Sequence, residues 1–535
     1  MGSEGGFEIV ISTDRTMMSN HHGKEFLGFM TTGPAIGLPE WLWMWIAAPK
    51  PKVDKLGRPV EAPYGLRKVE AVLQEAGFNA AIIDPDHIHK HLDTMKVLMV
   101  GHHDFFAYGP PSSEWWMMTG KEPVNRVYFR RFMESPAVRK AKKKGVKIIM
   151  GGPAAWQWLW ALEEWRKWGV DCVIDGEAEL VITDIAEAAL NGEPLPDYIY
   201  VGPADAPPIE RIPVIKGASV NGLVEIMRGC PRGCRFCSVT LRPLRFLPIE
   251  HIIKEIEVNA RAGVRNTILH SEDVLLYHAD GVKPRPEPVL RLHEAVLKAT
   301  PGTISWAHVS LAALKYAEEK HRLISKLMND LIIPRQSYIG VEVGVETGSV
   351  RLAKIIMPAK SAPYPPEKWP EVVEDAFRIM HENYIVPAAT IILGLPEERP
   401  EDVVATAELL DRLKPYRSLI VPMFFVPMGA LKNRDWFRKH ALREEHIDVL
   451  MQCLEHSMRW VDDLVNKFYL KEPLLAPVRF GIKLFLSLVR RNLSKIRPAL
   501  EAMISGEEEI ESTVTGAEAV ATCGCRAVAA TKHKS

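Results

Sequence analysis

Three cysteines, Cys230, Cys234 and Cys237, fall within the run Arg228-Gly-Cys-Pro-Arg-Gly-Cys-Arg-Phe-Cys. Spaced four and then three residues apart in a loop with Gly and Pro, their thiolates can converge on one small inorganic centre. Three is the number that matters. A 4Fe–4S cluster has one iron more than these cysteines can ligate, which leaves that iron open to something other than protein. A zinc site would need a fourth Cys or His at a suitable spacing, and no His lies between Arg228 and Glu250. The competing readings are a zinc knuckle and three unrelated loop cysteines.

The rest of the chain must position that loop. At 535 residues it exceeds one hydrophobic core, so several domains are expected. Apolar residues make up 47% and charged residues 25%, ordinary for a soluble globular protein. A formal net charge of zero offers no global field for nucleic acid, which is not expected as a partner. Seven cysteines, three of them in one loop, do not form a secreted disulfide framework. No signal peptide and no apolar run long enough to span a bilayer is visible. A cytoplasmic location is expected, where thiolates stay reduced.

Residues 1–195 alternate short apolar runs (7–12, 78–84, 96–101, 146–150 and 170–175) with helical stretches (64–76, 136–144, 154–168 and 177–190). That pattern predicts an α/β, doubly wound, Rossmann-like domain whose ligands sit beyond the carboxyl ends of its strands. Glycines stand at two of those ends, in Ile148-Ile-Met-Gly-Gly-Pro153 and Val173-Ile-Asp-Gly-Glu177. They let a bulky ligand approach the backbone. Residues 13–63, rich in Trp and Pro, are expected as a lid or substrate wall. Ten tryptophans precede residue 169 and could wall a large flat ligand or pack in the core. His87, His89 and His91 are expected as solvated loop residues.

Residues 196–222, rich in Pro and Gly, read as a linker. A second strand–helix alternation runs over 223–430, with strands expected at 223–228, 266–270, 303–309, 336–343, 385–393 and 419–425. The chain then turns helical over 431–500, and 501–535 are expected to be disordered. Over 478–497, Arg479, Lys483, Arg490 and Arg497 share a narrow helical sector beside Ile482, Phe485, Leu486, Val489, Leu493 and Ile496. This suits either an anionic membrane surface or a docked helix with solvated arginines. Cys523 and Cys525 could serve a second cluster only with other ligands.

The spacing C-x3-C-x-aromatic-C, with Phe236 before the last cysteine, resembles the signature of the radical S-adenosylmethionine (SAM) superfamily. The resemblance implies a partial (β/α)6 barrel, a 4Fe–4S cluster on Cys230, Cys234 and Cys237, and SAM on the open iron. It implies one-electron cleavage of SAM to a 5′-deoxyadenosyl radical, fed by an external ferredoxin- or flavodoxin-type donor. Ser271 and Glu272 match polar contacts after the second barrel strand. Glu342 matches the fourth-strand pattern I-G-x-E-x-G, and Arg351 could pair with the SAM carboxylate. Gly394 and Pro396 match the G-x-P-x-E turn that approaches the adenine. Gly151, Gly152, Pro153, Gly176 and Glu177 resemble the turns of the cobalamin-binding domain found in one large subfamily. The Asp-x-His-x-x-Gly motif that gives some cobalamin proteins an axial histidine is absent, which implies cobalamin held without a histidine ligand, or not held. The layout, with Met18-Ser-Asn-His-His-Gly-Lys-Glu-Phe-Leu-Gly-Phe29, is similar to archaeal members that form rings in tetraether membrane lipids. The implied reactions are methylation or carbon–carbon bond formation on a small-molecule or lipid substrate, with peripheral contact at the inner membrane face. The alternative is a non-catalytic iron–sulfur electron carrier.

Overall fold

The computed structural model describes residues 6–435 and 441–504. The expected tail and its Cys523 and Cys525 lie outside the described residues beyond position 504. Among the described residues, sixteen strands carry the architecture: β1 (Ile9–Ser12), β2 (Glu61–Ala62), β3 (Ala80–Ile82), β4 (Val97–Gly101), β5 (Lys147–Gly151), β6 (Cys172–Asp175), β7 (Tyr198–Tyr200), β8 (Ala218–Ser219), β9 (Leu223–Glu225), β10 (Met227–Arg228), β11 (Arg245–Phe246), β12 (Thr267–His270), β13 (Ile304–Trp306), β14 (Ile339–Glu346), β15 (Ile385–Leu393) and β16 (Leu419–Phe424).

The first sheet has the order β3-β1-β4-β5-β6-β7 and is parallel throughout. Its strands are apolar on both faces because helices cover both. Along β1, Val10 packs with Phe105, Phe129 and Trp158 on one side. Ile9 and Ile11 pack with Leu66, Leu73 and Ile185 on the other. Residues 198–200, expected within a linker, are instead the edge strand β7, in register Val173↔Tyr198. Proline at 196 and 203 hid them, and an edge strand tolerates such flanks. His91 is also not solvated: it is buried, with Nε2 2.8 Å from the Leu56 carbonyl.

The second unit is two three-stranded parallel sheets, β9-β12-β13 and β14-β15-β16. A parallel bridge between His308 and Glu342 splices them. Its bonds run from the Glu342 amide to the Ala307 carbonyl (2.8 Å) and from the Val309 amide to the Glu342 carbonyl (3.1 Å). The result is an open six-stranded barrel with helices outside, the architecture expected from the sequence.

The two units are locked by buried charge. Lys68, on helix Tyr64–Glu75, pairs at 2.6 Å with Glu255 on helix Ile249–Arg261, and both are buried. Glu255 also accepts from the Tyr64 hydroxyl (2.7 Å) and the Ile215 amide (3.1 Å). Beyond the barrel, helices Glu444–Asp463 and Ala476–Ile504 follow. Val478, Ile482, Phe485 and Leu486 pack on Leu27, Trp43 and Ile46 of the N-terminal insertion. Of the two readings of this helix, a membrane surface or docking on protein, these residues take the second. Much of the basic stripe is paired: Arg490 meets Asp462 and Arg497 meets Asp448, each at 2.7 Å. Among the described residues, no helix is long and apolar enough to cross a membrane.

A buried ion pair that loses one partner costs about 3–5 kcal/mol. Lys68→Met is expected to lower unfolding stability by about that much in thermal or denaturant titration. Lys68→Met with Glu255→Gln should recover part of it. Equal losses in the single and double variants would show that the pair does not couple the two units.

Candidate active site

Strand β9 runs into β10, which pairs antiparallel with β11 in the register Met227↔Phe246 and Arg228↔Arg245. The cysteine loop is what this short hairpin closes. It is tethered along its length. The Arg235 amide donates to the Ile356 carbonyl and the Ala430 amide to the Arg235 carbonyl, both at 2.9 Å. The Thr240 hydroxyl donates to the Cys237 carbonyl at 3.0 Å. Arg232, 3% exposed, donates through Nη1 to the carbonyls of Lys360 and Ala362, both at 2.9 Å. Its Nε and Nη2 have no hydrogen-bond partner, and Nη2 lies 3.7 Å from Asp273.

Burial pushes the Cys230 thiol up to about 12 and the Cys237 thiol up to about 11, and it raises Cys234 as well. Thiols so placed ionise only when a cationic centre compensates the lost hydration. Among the described residues, no three His, Cys, Asp or Glu side chains converge closely enough for a single metal ion.

Phe236 packs against Leu352, Ile356, Ile392, Leu395 and Phe425, so it anchors the loop on helix Val350–Ile356 and on the ends of β15 and β16. Lys360 lies over its ring, 5.7 Å from the centroid, and is paired with Glu346. Glu346 also accepts from Thr390 at 3.0 Å. Burial opposes the Lys360 charge, but Glu346 and Cys234 outweigh it and raise its pKa. Glu342, the residue matched from sequence, lies four residues earlier on β14, roughly 13 Å away at strand rise. The structure thus joins Glu346, not Glu342, to the cysteine loop. Arg351 is also displaced from its expected role. Its guanidinium bonds Asp402 and the Glu397 carbonyl, and it does not line the central cavity. Pro396 lies outside that lining too, as does Gly394, whose amide donates to Glu398 at 3.0 Å.

One cavity of about 1010 Å³ joins the carboxyl ends of the first sheet to the barrel lumen. That is at the top of the roughly 300–1,000 Å³ range for small-molecule sites, with room for more than one ligand. Gly151, Gly152, Pro153, Gly176 and Glu177 line one end, and Ser271, Glu272 and Glu342 the other. Gly152 has φ +96°, and a Cβ there would stand 2.8 Å from the His102 carbonyl. At Gly176, φ +130°, a Cβ would stand 2.3 Å from that of Val201. Backbone crowding demands both glycines whether or not a ligand binds. Glu177, expected along a cofactor, spends its carboxylate elsewhere: it meets Arg228 and Arg245, each at 2.7 Å. Of the two readings of the early tryptophans, ligand wall or packing, the cavity lining favours packing. None of the ten early tryptophans lines the cavity, and Trp158 is core. The insertion does line it, through Lys24, Glu25, Phe26 and Phe29 among others.

Sequence reading missed a polar cluster in the lumen. His308 Nε2 is 3.0 Å from Glu342, its Nδ1 is 3.2 Å from the Ser271 carbonyl, and the His270 ring lies 6.1 Å away. Burial would lower His308, but the Glu342 carboxylate overrides it and pushes it up to about 9. Glu25 reaches this cluster from the insertion; enclosure and then Glu342 raise its carboxyl to about 7. The Ser271 hydroxyl is buried at the cavity wall without a partner. In the sequence, the I-G-x-E pattern around Glu342 and the Ser271-Glu272 pair after the second barrel strand marked this region, while His308, His270 and Glu25 carried no signal.

Residues 224–410 match the family model "Radical SAM superfamily", so the barrel is a radical SAM domain. Relatives include an uncharacterised protein of Methanopyrus kandleri, 28% identical over 35% of this chain and 34% of that protein. The tRNA-2-methylthio-N(6)-dimethylallyladenosine synthase of Orientia tsutsugamushi is 25% identical over 39% and 44% of the respective chains. The matches thus span between a third and a half of these relatives' lengths. Among solved structures, the radical S-adenosylmethionine methyltransferase TsrM of Kitasatospora setae superposes with TM-score 0.51 at 14% identity, over 77% of this chain and 73% of that one. That likeness is one of fold, and it reaches beyond the barrel alone.

The lumen cluster makes stability depend on pH. His308, at about 9 against 6.5, favours the fold fully below pH 6.5 and loses that contribution as pH rises through about 9. Glu25, at about 7 against 4.5, favours it below pH 4.5 and loses that contribution by about pH 7. His308→Gln should flatten the fall of the unfolding midpoint between pH 6.5 and 9, and Glu25→Gln the fall below pH 7. Unchanged slopes in both variants would refute the cluster's electrostatics.

Proposed function

We propose that this chain is a cobalamin-using radical SAM enzyme that methylates, or forms a carbon–carbon bond at, an unactivated carbon. The observation that carries the reading is the single cavity whose walls include both the strand ends of the first sheet and the lumen of the radical SAM barrel. The base of the cysteine loop, Arg228 and Gly229, stands in the same wall. A solved TsrM structure of the same fold holds cobalamin and a [4Fe-4S] cluster. Cys230, Cys234 and Cys237 would hold the 4Fe–4S cluster, with the charge of Lys360 beside Cys234. Phe236, Ser271, Glu272, Glu342, Gly394 and Pro396 are the proposed SAM surroundings, and Ser271 offers an unpartnered hydroxyl. Arg351 is not retained in that set. Gly151, Gly152, Pro153 and Gly176 would lie along cobalamin.

When bound, these groups supply one-electron cleavage of SAM and a transferable methyl, given an external one-electron donor. The chain's own residues enclose the site, orient ligands and hold protons. Glu25 carries its proton up to about pH 7, and His308 remains an imidazolium up to about pH 9. A non-catalytic electron carrier would have no need of a lumen cavity with such groups.

A lipid substrate, with ring formation, is the second reading, and one observation favours it. Trp41 (71% exposed) and Phe480 (71%), with Trp45 and Leu484, are large apolar side chains left open on the insertion and the final helix. Such side chains suit shallow burial in a bilayer interface. The protein is then a cytoplasmic one resting on the inner membrane face.

Anaerobically reconstituted protein is expected to hold one oxygen-sensitive 4Fe–4S cluster and to cleave SAM when reduced. Alanine at Cys230, Cys234 or Cys237 should abolish both, and wild-type cleavage by any of these variants would overturn the assignment. For cobalamin, Gly151 is the better probe than Gly152, because a Cβ there meets only the Ile174 carbonyl, at 3.6 Å. Gly151→Leu should reduce cobalt content several-fold while leaving iron unchanged. Cobalt-free wild-type protein, made with ample cobalamin, would remove the cobalamin reading.

The membrane contact is checked by vesicle sedimentation with the full chain. Binding should fall at least several-fold in Trp41→Ser with Phe480→Ser, with SAM cleavage kept. Absence of binding by the wild type would leave a soluble substrate and favour methylation.

A further inference from the structure

Between Glu225 and Glu250 the chain carries five arginines and no carboxylate. Three of the five are spent: Arg228 and Arg245 on Glu177, and Arg232 on the carbonyls of Lys360 and Ala362. Arg235, inside the cysteine loop, and Arg242, on the turn that follows it, are left. Neither has an ion-pair partner among the described residues.

A second segment adds to this charge. The short turn Gly429–Leu431 packs on Val239–Leu241, and exposed Lys432 and Arg434 follow it, again without ion-pair partners among the described residues. Gly429 allows the approach. Its φ is +60°, and a Cβ there would stand 2.7 Å from the Cys237 carbonyl and 2.9 Å from that of Arg235. The backbone of this surface segment therefore touches the cysteine loop directly. Arg242 and Lys432 both act through space on Asp175, which is itself bonded to Tyr198 at 2.6 Å. Asp435 is an exposed acid at the end of the segment. Leu241 and Leu244 are large apolar side chains left exposed beside these cations, and neither lines the shared cavity.

Exposed apolar side chains beside unpaired cations have the makeup of a protein interface, with an apolar centre and a polar rim. Interfaces for electron transfer are small, below about 1,200 Å², and use charge to speed the encounter. Other sides of the loop are taken: Phe236 is packed, Arg232 is buried, and the hairpin is held by Glu177. We propose that the surface of Leu241, Leu244, Arg235, Arg242, Lys432 and Arg434 docks the one-electron donor, a small electron-transfer protein with an acidic face. The inference rests on the reading that the three cysteines hold a 4Fe–4S cluster. One electron leaves the donor's cofactor and enters that cluster, and no bond is made or broken at the surface.

The test uses full-length, anaerobically reconstituted protein and two acidic probes, a reduced flavodoxin and a reduced ferredoxin. Stopped-flow absorbance reads cluster reduction, and calorimetry reads binding of the oxidised probe. Lys432→Glu with Arg434→Glu is expected to slow probe-driven reduction about ten-fold at low salt. The same variant should lose most of the salt dependence that the wild type shows. Leu241→Ser with Leu244→Ser should weaken probe binding several-fold at low and high salt alike. Dithionite needs no docking surface, so it should reduce the wild type and both double variants at the same rate. Equal probe-driven rates and equal probe binding in all three proteins would overturn the docking assignment and leave the cluster reading standing. So would a cluster-loaded wild type that neither probe binds or reduces. Wild-type protein that reconstitutes without a cluster would overturn both.

Discussion

The carboxylate of Glu177 sits between two arginines that the chain would otherwise force together. Arg228 and Arg245 face each other across the hairpin that closes the cysteine loop. Like charges directly opposed on adjacent strands repel. Glu177, from the end of β6, reaches Arg228 at 2.7 Å and Arg245 at 2.7 Å, while Arg228 also meets Glu179 and Glu225. Burial opposes the Glu177 charge, but Arg245 and Arg228 hold its carboxyl below the usual range. The hairpin closes only because a residue of the other unit neutralises it. That same contact fixes the distance between the first sheet's strand ends and the cysteine loop. The shared cavity is the space this clamp leaves open.

Around that clamp, other contacts make the two units one working body. Lys68 and Glu255 join the helices on one side. On another, Glu114 accepts from the Phe424 amide, so a helix of the first unit caps the last barrel strand. The barrel is open, and its unpaired edges are covered by the first unit and the C-terminal helices. An edge covered in this way cannot pair with another chain.

The N-terminal insertion and the C-terminal helix, about 450 residues apart in sequence, form a third apolar cluster together. Phe26 meets Tyr469 at a tilt, with centroids 4.4 Å apart, and Trp43 meets Phe485 edge-on at 5.2 Å. This packing carries Glu25 to the lumen, where it faces Glu342 and His308. Acid–base character in the lumen thus depends on a helix whose sequence pattern alone was equally compatible with a membrane surface.

The sequence by itself determined the strand order of events: two rounds of strand–helix alternation, a glycine-bearing turn after β5 and another after β6, and three cysteines with an aromatic in one loop. These are local signals, since periodicity, backbone conformation and ligand spacing are all written within a few residues of each other. Tertiary structure decided what those groups touch. Glu177 became a clamp, Arg351 was captured by Asp402, and Glu346 rather than Glu342 reached the cysteine loop through Lys360. The early tryptophans turned away from the cavity, and the final helix spent its apolar face on the insertion. Each of these outcomes depends on a partner far away in the chain. Charge pairing and apolar burial act through space, whereas a sequence motif records only what lies next to it.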